Sequence, residues 1–386
     1  MTTTRQPLPR LTPNLFGTSF GICGLAQCWS VAHARIGSPS WPATSLWVLG
    51  ALIWLLTLIA YVGTAVTARR LGAEFADATF GPFTSLIVIV PMLLGVAVAG
   101  SRPELGRTVF LAALVLTVAL GGWLTAQWIV TDLQLAQWHP GYFLPTVAGG
   151  LIAAAGSAAL GYRSLAELMF GYGLICWFVL GSIMLLRLFT QPALKTPLLP
   201  TIAIEVAPPF VAGNAWFEIT GDRLDAVALA LAGYGVLMVT VQLGMTSVYR
   251  TVPFGPGWWA FSFSYAAVVA VAIRWLAAEQ VAGQELLTYG LLAVVTLGMA
   301  ALALRTGVAL WRGTYLPRPA TQPPAARPPV DERTRSDGPS AAQGRHEDEP
   351  LTDGGVSLLP DVTALPTGTA THPHVDPLDR PRSSLR

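Results

Sequence analysis

Long apolar blocks, separated by short charged or turn-rich breaks, fill most of this chain. Each block has about 20 residues, the length of a helix that crosses the hydrocarbon core of a bilayer. The blocks cover residues 13–33, 44–68, 83–100, 107–130, 142–161, 165–188, 200–217, 225–248, 258–278 and 286–311. Because no water reaches the backbone inside a bilayer, such blocks must be helical. The expected fold is an all-α polytopic membrane protein with ten transmembrane helices.

Composition supports this fold and suggests three parts of the chain. Only 11% of the 386 residues are charged, whereas soluble domains carry about a quarter. We expect a short cytoplasmic N-terminus over residues 1–12, a ten-helix domain over 13–316 and a disordered cytoplasmic tail over 317–386. Thirteen of the 30 prolines fall in the tail, which is too polar to build a packed core. The net charge of +2 gives no reason to expect nucleic acid as a partner.

The loops between the blocks determine the expected topology. Most are short, so consecutive helices should form antiparallel hairpins, and an even number of spans places both termini on one side. If that side is cytoplasmic, nine Arg and Lys residues flank the inner ends of the helices and six flank the outer ends. The positive-inside rule favours this orientation. We expect a multi-pass protein of the plasma membrane with both termini in the cytoplasm.

Prolines interrupt three of the five odd-numbered blocks and are absent from the interior of the even-numbered ones. Pro91 lies in the third block, Pro145 in the fifth, and Pro208 and Pro209 in the seventh. A proline within a helix removes a backbone hydrogen bond and kinks the axis. At membrane depth such a break is tolerated where protein or a cavity covers it. We therefore predict that the odd-numbered helices form an inner ring around a central path.

Glu205 lies within the seventh block, in the string TIAIEVAPPFVAG. A charge at the bilayer centre costs roughly 2.5–3.5 kcal/mol even on the mildest scale. Glu205 should therefore face the interior or a water-filled space, or be protonated. We treat it as a candidate proton or ion site. The alternatives are a protonated core residue and a position nearer the membrane interface.

The sequence shows no pattern typical of an enzyme, a metal site or a cofactor site. No pair of carboxylates that could hold magnesium lies within or beside a pair of apolar blocks, the Walker and HExxH motifs do not occur, and the three cysteines lack disulfide or zinc spacing. Asp222 and Asp225 are interpreted as part of a solvated loop. We predict a protein that uses no cofactor or metal and catalyses no reaction.

Four strings in the sequence point to a known family: FGTSFGICGLAQCW, HPGYFLPTVAGG, IEVAPPFVAG and FGPGWWAFSFS. In this order they resemble the tellurite-resistance/dicarboxylate transporter family, which includes bacterial TehA, fungal malate and sulfite transporters and plant slow anion channels. The resemblance covers about residues 13–312. It implies five helical hairpins, an inner ring of five helices around a pore, assembly as a homotrimer in the lipid bilayer and passage of small anions.

The resemblance also implies a gate. In the family, a phenylalanine on the ninth helix closes the pore and packs against glycines of the first helix. The matching residue is Phe263, with Phe261 as the second choice if the register is shifted, and the facing glycine is Gly21 or Gly24. The sequence departs from the plant-like pattern at Ser264, where proline commonly follows, so the ninth helix is expected to kink differently.

Three hypotheses about function follow. The leading one is an anion channel or uniporter that passes C4-dicarboxylate, sulfite, tellurite or inorganic anions through a pore gated by a phenylalanine. The second is a proton-coupled C4-dicarboxylate (malate) transporter in which Glu205 carries the proton. The third is a non-transporting membrane scaffold that acts through residues 317–386.

Overall fold

The computed structural model describes residues 11–67 and 74–316. Within them it contains ten helices long and apolar enough to cross a membrane, and no strand. They are α1 (Pro13–Ile36), α2 (Trp41–Thr64), α3 (Gly81–Ala99), α4 (Pro103–Val130), α5 (Pro140–Ala159), α6 (Arg163–Thr190), α7 (Thr196–Thr220), α8 (Ala226–Gly244), α9 (Pro256–Ala278) and α10 (Gln284–Trp311). Each end lies within four residues of the predicted block, which confirms the ten-helix fold. The predicted N-terminal segment 1–12, except its last two residues, and the tail 317–386 lie outside the described residues.

The helices pair as five consecutive hairpins: α1 with α2, α3 with α4, α5 with α6, α7 with α8 and α9 with α10. The odd-numbered helices also contact one another in a closed cycle. In that cycle α1 touches α3 and α9, α5 touches α3 and α7, and α7 touches α9. Because each even-numbered helix returns the chain to the side where it began, the five helices of this inner ring run parallel.

Burial separates the two sets of helices as the prolines predict. The most apolar stretches of the odd-numbered helices are 56–83% buried, whereas those of the even-numbered helices are 11–33% buried. Large apolar side chains on the even-numbered helices remain exposed, among them Leu56, Ile129, Phe189 and Val294. This surface suits contact with lipid chains. The predicted inner ring of odd-numbered helices is therefore confirmed.

The backbone of the inner ring is irregular at one end. All five odd-numbered helices begin with a 3₁₀ segment, and in α5 a π-helical segment follows it. Pro91 lies inside the α-helical part of α3, and Pro145 lies in the π-helical segment of α5. Pro208 and Pro209 lie at the start of the α-helical part of α7, where proline costs little because the first N–H groups of a helix have no internal partner. The even-numbered helices are continuous α-helices over the described residues.

Candidate functional site

Two cavities lie inside the inner ring, and all five odd-numbered helices contribute to each wall. The amino-end cavity, of about 50 Å³, lies between the amino-terminal halves of these helices and is lined by Asn14, Gly17, Phe20, Phe83, Leu86, Phe143, Leu144, Val147, Ala148, Leu151, Ile204, Ala207, Pro208, Val211, Pro256, Gly257, Trp259, Ala260, Phe263 and Ser264. The carboxyl-end cavity, of about 230 Å³, is lined by Gln27, Ser30, Trp47, Leu93, Val96, Ala97, Ile152, Ala155, Gly156, Ala159, Val211, Asn214, Glu218, Phe263 and Ala267. Of the described residues, only Phe263 and Val211 belong to both walls.

Phe263 occupies the boundary between the cavities. Its side chain is only 7% exposed, and its ring stacks on the ring of Phe20 from α1, with 3.7 Å between centroids and 13° between planes. Phe20 lines the amino-end cavity but not the carboxyl-end cavity. The two aromatic side chains, which we call the gate pair, therefore lie where a path along the axis of the inner ring of helices would have to pass.

The two candidate glycines of α1 face different residues of α9. A Cβ atom on Gly24 would lie 2.9 Å from Cδ2 of Phe263, so Gly24 provides the space that the ring occupies. A Cβ atom on Gly21 would lie 2.0 Å from Oγ of Ser262, so Gly21 allows the two helices to approach closely instead. The structure thus places Gly24 against the predicted gate residue and Gly21 beside it.

Phe261, the second choice for the gate, points elsewhere. Its ring contacts Tyr249 edge-on at 5.0 Å and stacks on Trp258 and Tyr265 at 5.7 and 6.0 Å. It lines neither cavity. Phe261 and Phe263 are two residues apart on one helix and so face different directions.

Glu205 is buried, with 3% of its surface exposed, but it lines neither cavity. Its neighbour Ile204 contributes to the amino-end wall, whereas Glu205 lies close enough to Tyr234 of α8 to interact electrostatically with it. Among the described residues, its Oε1 atom has no hydrogen-bond partner. The structure therefore places this carboxyl group away from the central path, between the inner ring and an outer helix.

The described residues that line the amino-end cavity include no charged side chain, and the polar ones among them are Asn14 and Ser264. His139 lies nearby and stacks on Phe83, which belongs to that wall, at 5.6 Å. Burial lowers the pKa of His139 to about 4, so this ring is neutral at physiological pH. This half of the path is therefore apolar and uncharged.

The carboxyl-end cavity has a more polar wall, with Gln27, Ser30, Asn214 and Glu218. Glu218 accepts a hydrogen bond from Arg274 of α9, which also donates to Asp222 at 2.7 Å, and Asp222 pairs with Arg35 at the end of α1. Asp222 lies in the α7–α8 loop, but it is a partly buried member of an ion-pair cluster, so the interpretation of its side chain as solvated is wrong. Asp225 caps α8 by accepting from the N–H groups of Val227 and Ala228, which lowers the pKa of its carboxyl group.

Four residues of this region were missed in the sequence: Phe20, Asn214, Glu218 and Arg274. Phe20 stands within the string FGTSFGICG, four residues before Gly24, but an aromatic residue in an apolar block carries no signal of its own. Glu218 and Arg274 are charges near the ends of the seventh and ninth blocks, and intramembrane charges are themselves signals of a site. Their pairing is invisible in sequence because they lie far apart in the chain.

Known proteins similar to this chain are anion channels and a tellurite resistance protein. The model of the voltage-dependent anion channel family matches residues 10–307. The tellurite resistance protein TehA homolog of Haemophilus influenzae is 26% identical over 270 residues, which cover 68% of this chain and 80% of that protein. The S-type anion channels SLAH3 and SLAH1 of Arabidopsis thaliana are 24% and 26% identical, over 78% and 66% of this chain and over 48% and 70% of their own lengths.

Proposed function

Since the chain belongs to the voltage-dependent anion channel family, we propose that it passes small anions along the axis of its inner ring and that Phe263 is the gate. Membership of this family, whose members are channels and not enzymes, establishes a multi-pass membrane protein that transports anions. The route, the gate and the range of anions are our proposal. So are the homotrimer, the plasma membrane location and the cytoplasmic position of both termini.

One observation supports the gate above all others: Phe263 belongs to the walls of both cavities and stacks on Phe20 between them. A ring at an apolar constriction excludes a hydrated anion by its size and by dewetting the passage. The other observations on Phe263 agree with this role. Gly24 leaves room for the ring, and an apolar amino-end wall offers an anion no strong binding site in which it would be held.

The direction of the inner helices suits an anion. The amino ends of five parallel helices carry partial positive charge, which a buried or partly desolvated anion senses more strongly than one in water. In the described structure these ends surround the amino-end cavity, whose wall has no charged residue. Backbone dipoles would therefore attract anions without holding them, as conduction requires.

Anion flux through purified protein in liposomes tests the proposal. Phe263→Ala removes the ring and should raise chloride and nitrate flux at least about tenfold over the wild type, since constrictions of this kind close by excluding water. Phe263→Leu should give a smaller increase because it refills part of the volume. A panel that adds sulfite and malate would define the range of anions.

Phe261→Ala is the matched control. It removes a ring of the same size from the same helix, but from an aromatic cluster outside both cavities, so flux should stay at the wild-type level. If neither variant raises flux although both are folded and inserted, Phe263 is not the gate. If Phe261→Ala alone raises flux, the path does not follow the axis of the inner ring of helices.

The proton-coupled transporter remains the competing hypothesis, and flux that depends on a pH gradient would favour it. The position of Glu205 outside both walls gives this hypothesis no direct support. The scaffold hypothesis is tested by deletion of residues 317–386. Flux that persists while a cellular phenotype disappears would assign that phenotype to the tail.

A further inference from the structure

The charge on the cavity walls has an unexpected sign for a path that carries anions. Among the described residues that line the two cavities, Glu218 is the only one with a charged side chain, and that charge is negative. An unneutralised carboxylate there would repel every anion that entered the carboxyl-end cavity. The groups around Glu218 must therefore explain how such a wall is compatible with anion passage.

Arg274 neutralises Glu218 from behind the wall. Its side chain is 6% exposed, against 29% for Glu218, so the carboxylate covers the guanidinium on the side of the cavity. Nη2 donates to Glu218 and Nη1 donates to Asp222, whereas Nε has no partner among the described residues. A guanidinium offers five donors, so this one is buried with its hydrogen-bonding capacity incompletely used.

The two acidic partners of Arg274 are not equivalent. Asp222 is 12% exposed and is shared with Arg35, so two arginines hold it at the junction of α1, α9 and the α7–α8 turn. Among the described residues Glu218 pairs with Arg274 only, and it is the more exposed of the two carboxylates. Glu218 is therefore the partner that can leave, and its departure would open the guanidinium to the cavity.

A guanidinium that loses its carboxylate is a strong site for another oxyanion, because its planar donors match the oxygens of carboxylate-like groups. We infer that Arg274 is an anion-coordinating residue of the carboxyl-end cavity and that Glu218 is its tethered competitor. The class of ligand is a small oxyanion such as nitrate or a short carboxylate. When such an anion enters, it replaces the Glu218 carboxylate on Arg274. Glu218, whose side chain is already 29% exposed, then turns toward water, which screens its charge, and it turns back when the anion leaves.

This inference rests on the proposed path, and it deepens that proposal by naming a coordination site within it. Asp222 stays on Arg274 throughout the exchange, and the anion takes the place of Glu218, so neither state leaves the second face of the buried guanidinium without an acceptor, which would be costly. It also explains why a negative side chain lies on the wall of an anion path. The anion meets a site that is already shaped for a carboxylate.

Glu218→Asp is the decisive variant, studied in the Phe263→Ala background so that the gate does not limit the current. It keeps the negative charge but is one methylene too short to cover Arg274 as Glu218 does. The nitrate concentration that gives half-maximal current should fall about tenfold, which corresponds to about 1.4 kcal/mol. Stabilisation of the purified variant by nitrate, measured as the rise in Tm, should begin at correspondingly lower concentration.

Two further variants separate coordination from a general effect of charge. Glu218→Gln should give a similar gain in apparent affinity for nitrate. Combining Glu218→Gln with Arg274→Gln should abolish that gain, with folding checked by size-exclusion chromatography. If Glu218→Asp behaves like its parent while Glu218→Gln shows the gain, only the field of the carboxylate matters and the inference is wrong. A gain in affinity that survives without Arg274 also overturns it.

Absence of anion current in the Phe263→Ala parent would instead count against the proposed function, and the Tm measurement would still decide whether Arg274 binds the anion.

Discussion

The same five helices build both cavities, yet the two walls differ in chemistry and in backbone. The amino-end wall is apolar, uncharged and formed largely where the helices begin as 3₁₀ or π segments. The carboxyl-end wall lies along regular α-helix and carries Gln27, Ser30, Asn214 and Glu218. Along the proposed path, one half would therefore attract an anion only through backbone dipoles, whereas the other has side chains that could distinguish one anion from another.

This difference teaches where each property of the path resides. The irregular segments bring residues such as Pro256 and Gly257 to a wall without charged side chains, so the chemistry there is mainly that of backbone dipoles. The α-helical halves hold side chains at fixed angles, which specific coordination requires. Phe263 lies at the join, and the following experiments ask whether it truly separates two compartments.

Cysteine accessibility should give the largest effect, an all-or-none difference between two positions on α5. Ala148 lines the amino-end cavity and Ala155 lines the carboxyl-end cavity, so cysteines placed there should react with an impermeant thiosulfonate from opposite sides of the membrane only. The background should carry Cys176→Ser, since Cys23 and Cys28 are buried. Adding Phe263→Ala should let both positions react from either side. Equal labelling from both sides in the presence of Phe263 would show that the cavities are continuous.

Phe20→Ala should give the next largest effect, an increase in chloride flux of a few-fold and below that of Phe263→Ala. Loss of the stacked partner lets Phe263 move aside, but the aromatic side chain of Phe263, which belongs to both walls, remains. Phe16→Ala is the matched control, because Phe16 is equally buried one turn earlier on α1 and packs edge-on against Tyr61. Both truncations should cost about 3–5 kcal/mol of stability, as buried Phe→Ala changes do. Equal flux in the two variants would remove Phe20 from the gate pair.

Gly21→Ala should act on the contact between α1 and α9 and hence on stability. The new methyl group would lie within 2.5 Å of both Oγ and Cβ of Ser262, and overpacking of this kind costs about 1–3 kcal/mol. We expect a lower Tm in detergent and partial recovery when Ser262→Gly is added. Gly122→Ala serves as the control, since its Cβ would meet no atom within 4 Å. An unchanged Tm for Gly21→Ala would mean that the two helices are not held at this distance.

Glu205→Gln should give the smallest effect. Because Glu205 lies outside both walls, we expect chloride flux within about twofold of the wild type and no change in anion selectivity, as for substitutions that remove no contact from a path. Flux should be measured with and without a pH gradient. If the wild type depends on that gradient and Glu205→Gln does not, the carboxyl group carries protons and the competing transporter hypothesis gains the support that its position does not give.

Much of the architecture could be predicted from the sequence because it follows from one-dimensional quantities. The length of the apolar blocks predicted ten helices, and the prolines in alternate blocks predicted which of them are buried. The gate pair and the Arg274 cluster could not be derived in this way. Phe20 meets Phe263, and Glu218 meets Arg274, only after the ring has closed, and pairing across such distances leaves no periodic pattern. The register of Phe263 came from a family resemblance and not from its own helix.

The closed cycle of inner helices has a consequence for how the protein is made. The first and ninth helices are neighbours in the ring, so the contact between Phe20 and Phe263 joins segments from opposite ends of the membrane domain. During synthesis α1 is made well before α9. Gly21 and Gly24 of α1 therefore lack their partners on α9 until α9 has been inserted. Contacts between distant parts of a chain form late because their ordering entropy must be met before they stabilise anything. The ring can therefore close only after nine of the ten helices have been made, and a chain truncated before α9 would leave it open between α1 and α7.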